Sequence, residues 1–139
     1  MMQMLFSAQG RIRRTDYWVW SICATLGAAF LCGVLFFGVA AAYDDRKPDD
    51  GVMAAVVTVI AIIIGVHFWV RVCLAAKRWH DRDKSGWLGI LVILQYILPL
   101  INIAIFIWQF IECGCLDGTP GRNTYGPSPK GIGNESSVF

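Results

Sequence analysis

The chain has 139 residues, of which 56% are hydrophobic and only 16% charged, against about 25% charged in an ordinary soluble domain. With a mean hydropathy of +0.54, this composition argues against a water-soluble globule, and the length leaves room for one domain, not for separate substrate and cofactor domains. A net charge of only +2, with the bases crowded beside apolar stretches, makes nucleic acid a poor partner.

Charge placement divides the chain, because a charge at the centre of a bilayer costs about 2.5 to 3.5 kcal/mol and spans avoid it. Three windows carry no Asp, Glu, Lys or Arg: 17–43, 51–70 and 87–111. At a rise of about 1.5 Å per residue, each is long enough as helix to cross a hydrocarbon core of about 30 Å. Tyr17, Trp18, Trp20, Tyr43, Phe68, Trp69 and Trp87 sit at or near the window ends, where amphipathic rings prefer the headgroup level. The expected fold is an all-α integral membrane protein, a single membrane domain over 1–130 with residues 131–139 as a disordered tail.

The first window follows Arg11, Arg13 and Arg14 and closes on Ala40, Ala41 and Ala42, a pattern shared with cleaved signal peptides. Its apolar stretch is about twice the usual 7 to 15 residues of such a peptide, which points to a retained span. The link 44–50 (DDRKPDD) reads as a tight exposed turn, so the first two spans form a helical hairpin. In the second window, Val56, Val57, Ile60, Ile62, Ile63 and Ile64 dominate insertion, and lipid permits no open strand edge, so the segment is helical.

The link 71–86 is the most basic stretch, with Arg71, Lys77, Arg78, Arg82 and Lys84 against Asp81 and Asp83. Three spans with the N-terminus inside put eight bases in the cytoplasm and four outside, which favours that orientation. Extended as helix, the stretch places Arg71, Arg78 and Arg82 on one stripe. Lipid contact and topology account for these bases; the two acids are explained by intramolecular pairs with bases such as Arg13 or Arg14. The third window holds Pro99 and Asn102 near its middle, between two apolar halves of about 16 Å each. Either one kinked span, with the tail outside, or a re-entrant helical hairpin, with the tail back in the cytoplasm, fits it.

Five cysteines, Cys23, Cys32, Cys73, Cys113 and Cys115, are an odd number with two inside a span, so neither a disulfide scaffold nor a zinc site fits. No catalytic, cofactor or metal site is expected, since no phosphate-cradling loop, nucleophile elbow or His-Glu metal motif occurs. His67 lies one turn before Arg71 and shares a face with it.

Three stretches together resemble a known family: Phe6 with Gly10, Arg11, Arg14, Tyr17 and Trp18; Lys77 to Trp87 (KRWHDRDKSGW); and Gly118 to Pro129 (GTPGRNTYGPSP). Their order around the spans is similar to that of the small bacterial membrane proteins called domain of unknown function 805, from Phe6 to about Pro129. The resemblance implies a multi-pass protein of the bacterial inner membrane and implies no reaction.

The residues singled out at the cytoplasmic edge are Arg11, Arg14, Arg78, His80, Asp81, Ser85, Gly86 and Trp87, joined by Asn123, Tyr125, Gly126 and Pro127 if the tail is inside. The leading expectation is a membrane protein without evident catalysis, whose edge cluster is structural or binds anionic lipid headgroups or a membrane protein partner. Ala24, Ala28 and Gly33 would permit close helix contact in a homo-oligomer. The alternative is a transporter or channel subunit, for which Thr25, Thr58, Gln95 and Asn102 are the available polar groups. A membrane enzyme stands third, with His80 and Asp81 as acid and base.

Overall fold

The computed structural model describes residues 5–43, 46–97 and 99–132, and for 96, 97 and 99–101 the backbone alone. Among these residues the regular structure is helical, apart from one isolated bridge between Asn123 and Gly126. The expected disorder of 131–139 falls mostly outside the described residues.

Helix α1 runs Arg14–Tyr43 and helix α2 runs Asp50–Asp81. They start three residues and one residue before their charge-free windows, with Asp16 and Asp50 in the first turns, where a negative charge complements the helix dipole. The two pack against each other as a hairpin, yet most of their apolar surface is left bare by the described residues. Phe30 and Phe37 are 70% and 71% exposed, and α1 buries only Tyr17 and Ser21. A surface of bare Leu, Ile, Val and Phe over two helices of about 45 Å is stable in a bilayer and not in water. The chain is an all-α membrane protein.

Helix α2 outlasts its charge-free window by eleven residues, 71–81, and its burial reverses there. Its buried residues are Val70, Cys73, Leu74, Ala75, Ala76, Lys77, Arg78, Trp79 and Asp81. The small side chains Cys73, Ala75 and Ala76 let the next element approach closely. That element is a 3₁₀ turn, Gly86–Ile90, and a Cβ at Gly89 would stand 3.0 Å from the Val72 carbonyl and 3.3 Å from the Ala76 methyl. The core lies at this end of the molecule: Ile12, Tyr17, Val70, Leu74, Ala75, Trp79, Val92 and Cys113.

The third window is not one helix. Helix α3, Leu91–Ile97, and helix α4, Pro99–Gln109, fold back on each other. Gln95 Nε2 donates to Gln109 Oε1 at 2.7 Å, whereas side chains fourteen residues apart on one straight helix would be separated by about 21 Å. Pro99 opens α4, where its missing N–H is harmless. At about 10 and 16 Å the legs are each shorter than a bilayer core, so the window folds as a helical hairpin, the shape that the re-entrant arrangement requires, and not as one kinked helix.

The return leg ends in a π-helical turn, Phe110–Cys115, closed by Leu116 N–H donating to the Ile111 carbonyl at 3.0 Å. From there 116–132 runs in bends and turns beside the end of α2.

Candidate functional site

The site is built where α2 stops. Lys84 N–H donates to the Trp79 carbonyl at 2.9 Å and Asp83 N–H to the His80 carbonyl at 3.0 Å, the paired closure of a Schellman motif. Its left-handed position is occupied by Asp83, at φ 57°, a residue type that tolerates that region better than most. The Asp83 side chain accepts from Thr124 N–H at 3.2 Å and so anchors the tail.

Asp81, 3% exposed, sits one turn past Arg78 and between two guanidinium groups. Arg11 Nε donates to Asp81 Oδ1 at 3.0 Å, with Nη2 2.9 Å from the same oxygen, and Arg78 Nη1 donates to Oδ2. The other hydrogen bonds of both arginines go to main-chain carbonyls. Arg11 Nη1 reaches Gly121 at 2.9 Å and Gly126 at 3.1 Å, and Nη2 reaches Thr119 at 2.6 Å. Arg78 Nε reaches Cys113 at 2.7 Å, Nη1 reaches Ile12 at 3.5 Å and Nη2 reaches Leu116. Every nitrogen of both groups therefore has an acceptor, which makes burial of the charges tolerable. The side chains of Arg11 and Arg78 are 2% and 1% exposed.

This clasp joins four segments: the approach to α1, the end of α2, the π-helical turn and the tail. The π turn contributes carbonyls that its wide winding leaves free. Cys113 and Leu116 give theirs to Arg78, Cys115 gives its carbonyl to Arg14 Nη1 at 3.1 Å, and Gly114 gives its own to Trp18 Nε1 at 3.1 Å. Positive side chains thus cap the negative pole of the return leg. Gly118 passes so close to Asp81 that a Cβ would overlap the carboxylate, and Thr119 N–H donates to the Asp81 carbonyl at 2.8 Å.

His80 stacks on Tyr125, 3.8 Å between ring centroids and 11° from parallel. Its Nδ1 lies 3.2 Å from the Gly10 carbonyl, so the tautomer that carries a proton there is the one bonded. Burial pushes its pKa below the usual imidazole value, and the Gly10 contact offsets this only in part. A Cβ at Gly86 would overlap the imidazole Nε2. Asn123 donates through Nδ2 to the His80 carbonyl at 2.8 Å.

A second ionic group lies outside the clasp. Glu112 receives Lys84 Nζ at 2.7 Å and faces Arg82 Nη2 at 3.3 Å. Burial opposes ionisation of Glu112, but these two bases outweigh it and hold the carboxyl below its ordinary range. Asp117 is held low by Lys130 Nζ, 2.6 Å away, and more weakly by Arg14, at 3.6 Å.

Of the residues singled out from sequence, Arg11, Arg78, His80, Asp81 and Gly86 meet in one place. Arg14 stands at its rim with its side chain 45% exposed. Ser85 caps the 3₁₀ turn by accepting from Trp87 N–H at 3.4 Å, and the Trp87 side chain points away, 81% exposed. Asn123, Tyr125 and Gly126 join the cluster, so the tail lies at the same end of the helices as Arg11.

Two expectations need correction. Asp81 pairs with Arg11 and Arg78, not with Arg13 or Arg14, because Arg13 donates to the Pro129 carbonyl at 2.7 Å and Arg14 to Cys115. The stripe of Arg71, Arg78 and Arg82 does not face one environment: Arg78 turns into the clasp, Arg82 toward Glu112, and Arg71 into a cleft nearer the apolar layer. Glu112 carries little signal in the sequence beyond being an acid that directly ends a charge-free window.

Among the described residues no group of three or more His, Cys, Asp or Glu is arranged to hold a metal ion. Both carboxylate oxygens of Asp81 are engaged by arginines, so Asp81 and His80 do not form an acid-base pair.

Comparison with known proteins agrees with the motifs. A family model described as "Protein of unknown function (DUF805)" matches residues 5–127, and the chain belongs to that family. It is 30% identical over 124 residues to the inner membrane protein YhaH of Escherichia coli strain K12, covering 88% of this chain and 86% of that one. It is 28% identical over 147 residues to the uncharacterised protein YiiR of the same strain, covering 94% and 90%. To the inner membrane protein YhaI it is 29% identical over 122 residues, covering 87% and 84%. No solved structure matches the chain.

Proposed function

We propose that this is a non-catalytic, multi-pass protein of the bacterial inner membrane whose N-terminus and tail both lie in the cytoplasm. In this reading the Arg11–Asp81–Arg78 clasp is structural, and it holds a rigid platform against the anionic lipid surface or a membrane protein partner. The observation that carries it is the saturation of the clasp: both guanidinium groups and the carboxylate between them are spent on the chain's own atoms. Every nitrogen of the two guanidinium groups is bonded within the chain, with one N–H of Arg78 Nη2 the single donor that has no acceptor among the described residues, and removal of the cluster would release four segments at once.

Charge distribution supports the orientation. With the hairpin re-entrant and the tail inside, ten of the twelve bases lie on the cytoplasmic side and only Arg46 and Lys47 on the other. The inner-membrane names of two relatives support the location. Around the buried clasp, Arg13, Arg14 and Arg122 stay exposed, and bases at a membrane edge attract anionic headgroups by about 1 kcal/mol each.

A reporter enzyme active only outside the cytoplasm tests this topology. Fused after Ile132 it should be silent, and inserted in the 46–49 link it should be active. Activity of the tail fusion would overturn the platform, since the tail is one of its four parts.

A further inference from the structure

Between α1, α2 and the re-entrant hairpin lies a cleft of about 310 Å³, separate from the clasp and set toward the apolar layer. Arg71 lies seven residues before Arg78, about 10 Å back along α2. We propose that this cleft binds the anionic, oxygen-rich headgroup of a membrane phospholipid.

The lining is rich in donors and holds no carboxylate. Arg71 and His67 come from α2, Gln95 and Gln109 from the two legs of the hairpin, and Thr25 from α1. The Arg71 guanidinium has no carboxylate partner among the described residues, unlike Arg11, Arg14, Arg78 and Arg82. Gln109 is 4% exposed, and although its Oε1 accepts from Gln95, its buried Nε2 donates to nothing. The buried Nδ1 of His67 is likewise without a partner. Thr25 is already satisfied, since its hydroxyl donates to the Ser21 carbonyl at 2.8 Å.

Buried donors left open are uncommon in folded proteins, and a base without a counter-ion at the edge of an apolar layer is unfavourable. One ligand would cure both defects: an anion whose oxygens accept from Arg71, Gln109 and His67. The opposite wall is aromatic, with Trp18, Phe106 and Phe110, which suits the glycerol and upper acyl carbons of an amphiphile. The volume is at the small end of ligand pockets, enough for a headgroup whose chains remain among the lipids. The arginine and glutamine are presented by different elements, so the re-entrant hairpin is what assembles the site.

The test uses the full chain purified in a nonionic maltoside, with bound species counted by native mass spectrometry. The probes are dihexanoyl phosphatidylglycerol, dihexanoyl phosphatidylcholine and inorganic phosphate. Phosphatidylglycerol should bind saturably at one per chain and at least tenfold more tightly than phosphatidylcholine. Arg71→Gln and Gln109→Leu should each weaken it at least tenfold, Arg71→Lys should retain most of it, and Arg46→Gln in the exposed link between α1 and α2 should change nothing. Failure of phosphate to compete would support a lipid as the source. Competition by phosphate at similar concentration would overturn the lipid assignment in favour of a soluble phosphate compound on the same donors. Equal retention of the two lipids by the wild-type chain would overturn the proposal even if the variants failed to fold. So would unchanged phosphatidylglycerol binding in Arg71→Gln and Gln109→Leu chains that melt like the wild type.

Discussion

The two parts of α2 obey opposite rules. From 51 to 69 most of its large apolar side chains face outward, with Val57, Ile62 and Ile64 more than half exposed, and at those positions any apolar residue of similar size would meet the lipid equally well. From 70 to 81 the helix buries a lysine, an arginine and an aspartate together with Trp79, and each has a particular environment. In a water-soluble helix the charges would be outside and the apolar residues inside. Here the bilayer supplies the apolar environment without shape, so the packing that distinguishes one structure from another is concentrated at the polar end.

The sharpest way to break this contrast is Asp81→Asn. It keeps the volume and removes the charge that lies between Arg11 and Arg78, leaving two buried guanidinium groups with no counter-ion. Breaking a buried ion pair from one side costs about 3 to 5 kcal/mol, enough to stop a small membrane protein from accumulating. The amount recovered in membranes and the melting temperature in detergent should both fall sharply. A variant that melts like the wild type would show that the clasp is not what holds the four segments together.

A smaller loss is expected from Gly118→Ala. The added methyl would overlap the Asp81 carboxylate, so the tail must shift and the Thr119 bonds to α2 must lengthen. Overpacking of this kind costs about 1 to 3 kcal/mol. Limited proteolysis should then cut the tail while the helical hairpin of α1 and α2 survives, which separates damage to the tail from damage to the clasp.

What could be read from sequence follows the same division. The two long helices were legible because a charge-free run of twenty residues or more has one stable form in lipid, whatever its neighbours. The break at Pro99 was legible as a break, but not its consequence. A kinked span and a re-entrant hairpin share the same sequence, and the choice lies in tertiary contacts such as Gln95 with Gln109. The polar cluster was legible as a set because its members are charged residues beside apolar windows. Its pairing was not, since Arg11, Arg13 and Arg14 lie within four residues and only the path of the backbone decides which reaches Asp81. Gly118 and Gly86 became meaningful only when the carboxylate and the imidazole behind them were in place.

His80 separates the two regions by pH. Its pKa is lowered in the folded chain from an ordinary value of 6.5, so the folded state prefers the neutral ring and the unfolded chain takes up a proton first. Stability from this group is therefore complete above about 6.5 and declines as the pH falls below it. Glu112 acts lower: with its pKa depressed from 4.5, its contribution holds above that value and disappears as the carboxyl is protonated. Melting in detergent between about pH 7.5 and 5.5 should show a modest decline that is absent in His80→Gln. A decline unchanged in that variant would assign it to another group.

The smallest effect is expected where the chain is most apolar. Phe30 is 70% exposed near the middle of α1, and Phe and Leu insert with similar free energies of about −0.3 to −0.6 kcal/mol at a helix centre. If lipid is all that covers this face, Phe30→Leu exchanges one acceptable solute for another, and neither the melting temperature nor the yield should move measurably. A face packed on a second copy or a partner helix would respond differently, because a packed aromatic ring contributes through shape as well as hydropathy. Loss of a cross-linked oligomer on Phe30→Leu, with the monomer as stable as before, would therefore mean that specific packing extends along α1 into the membrane.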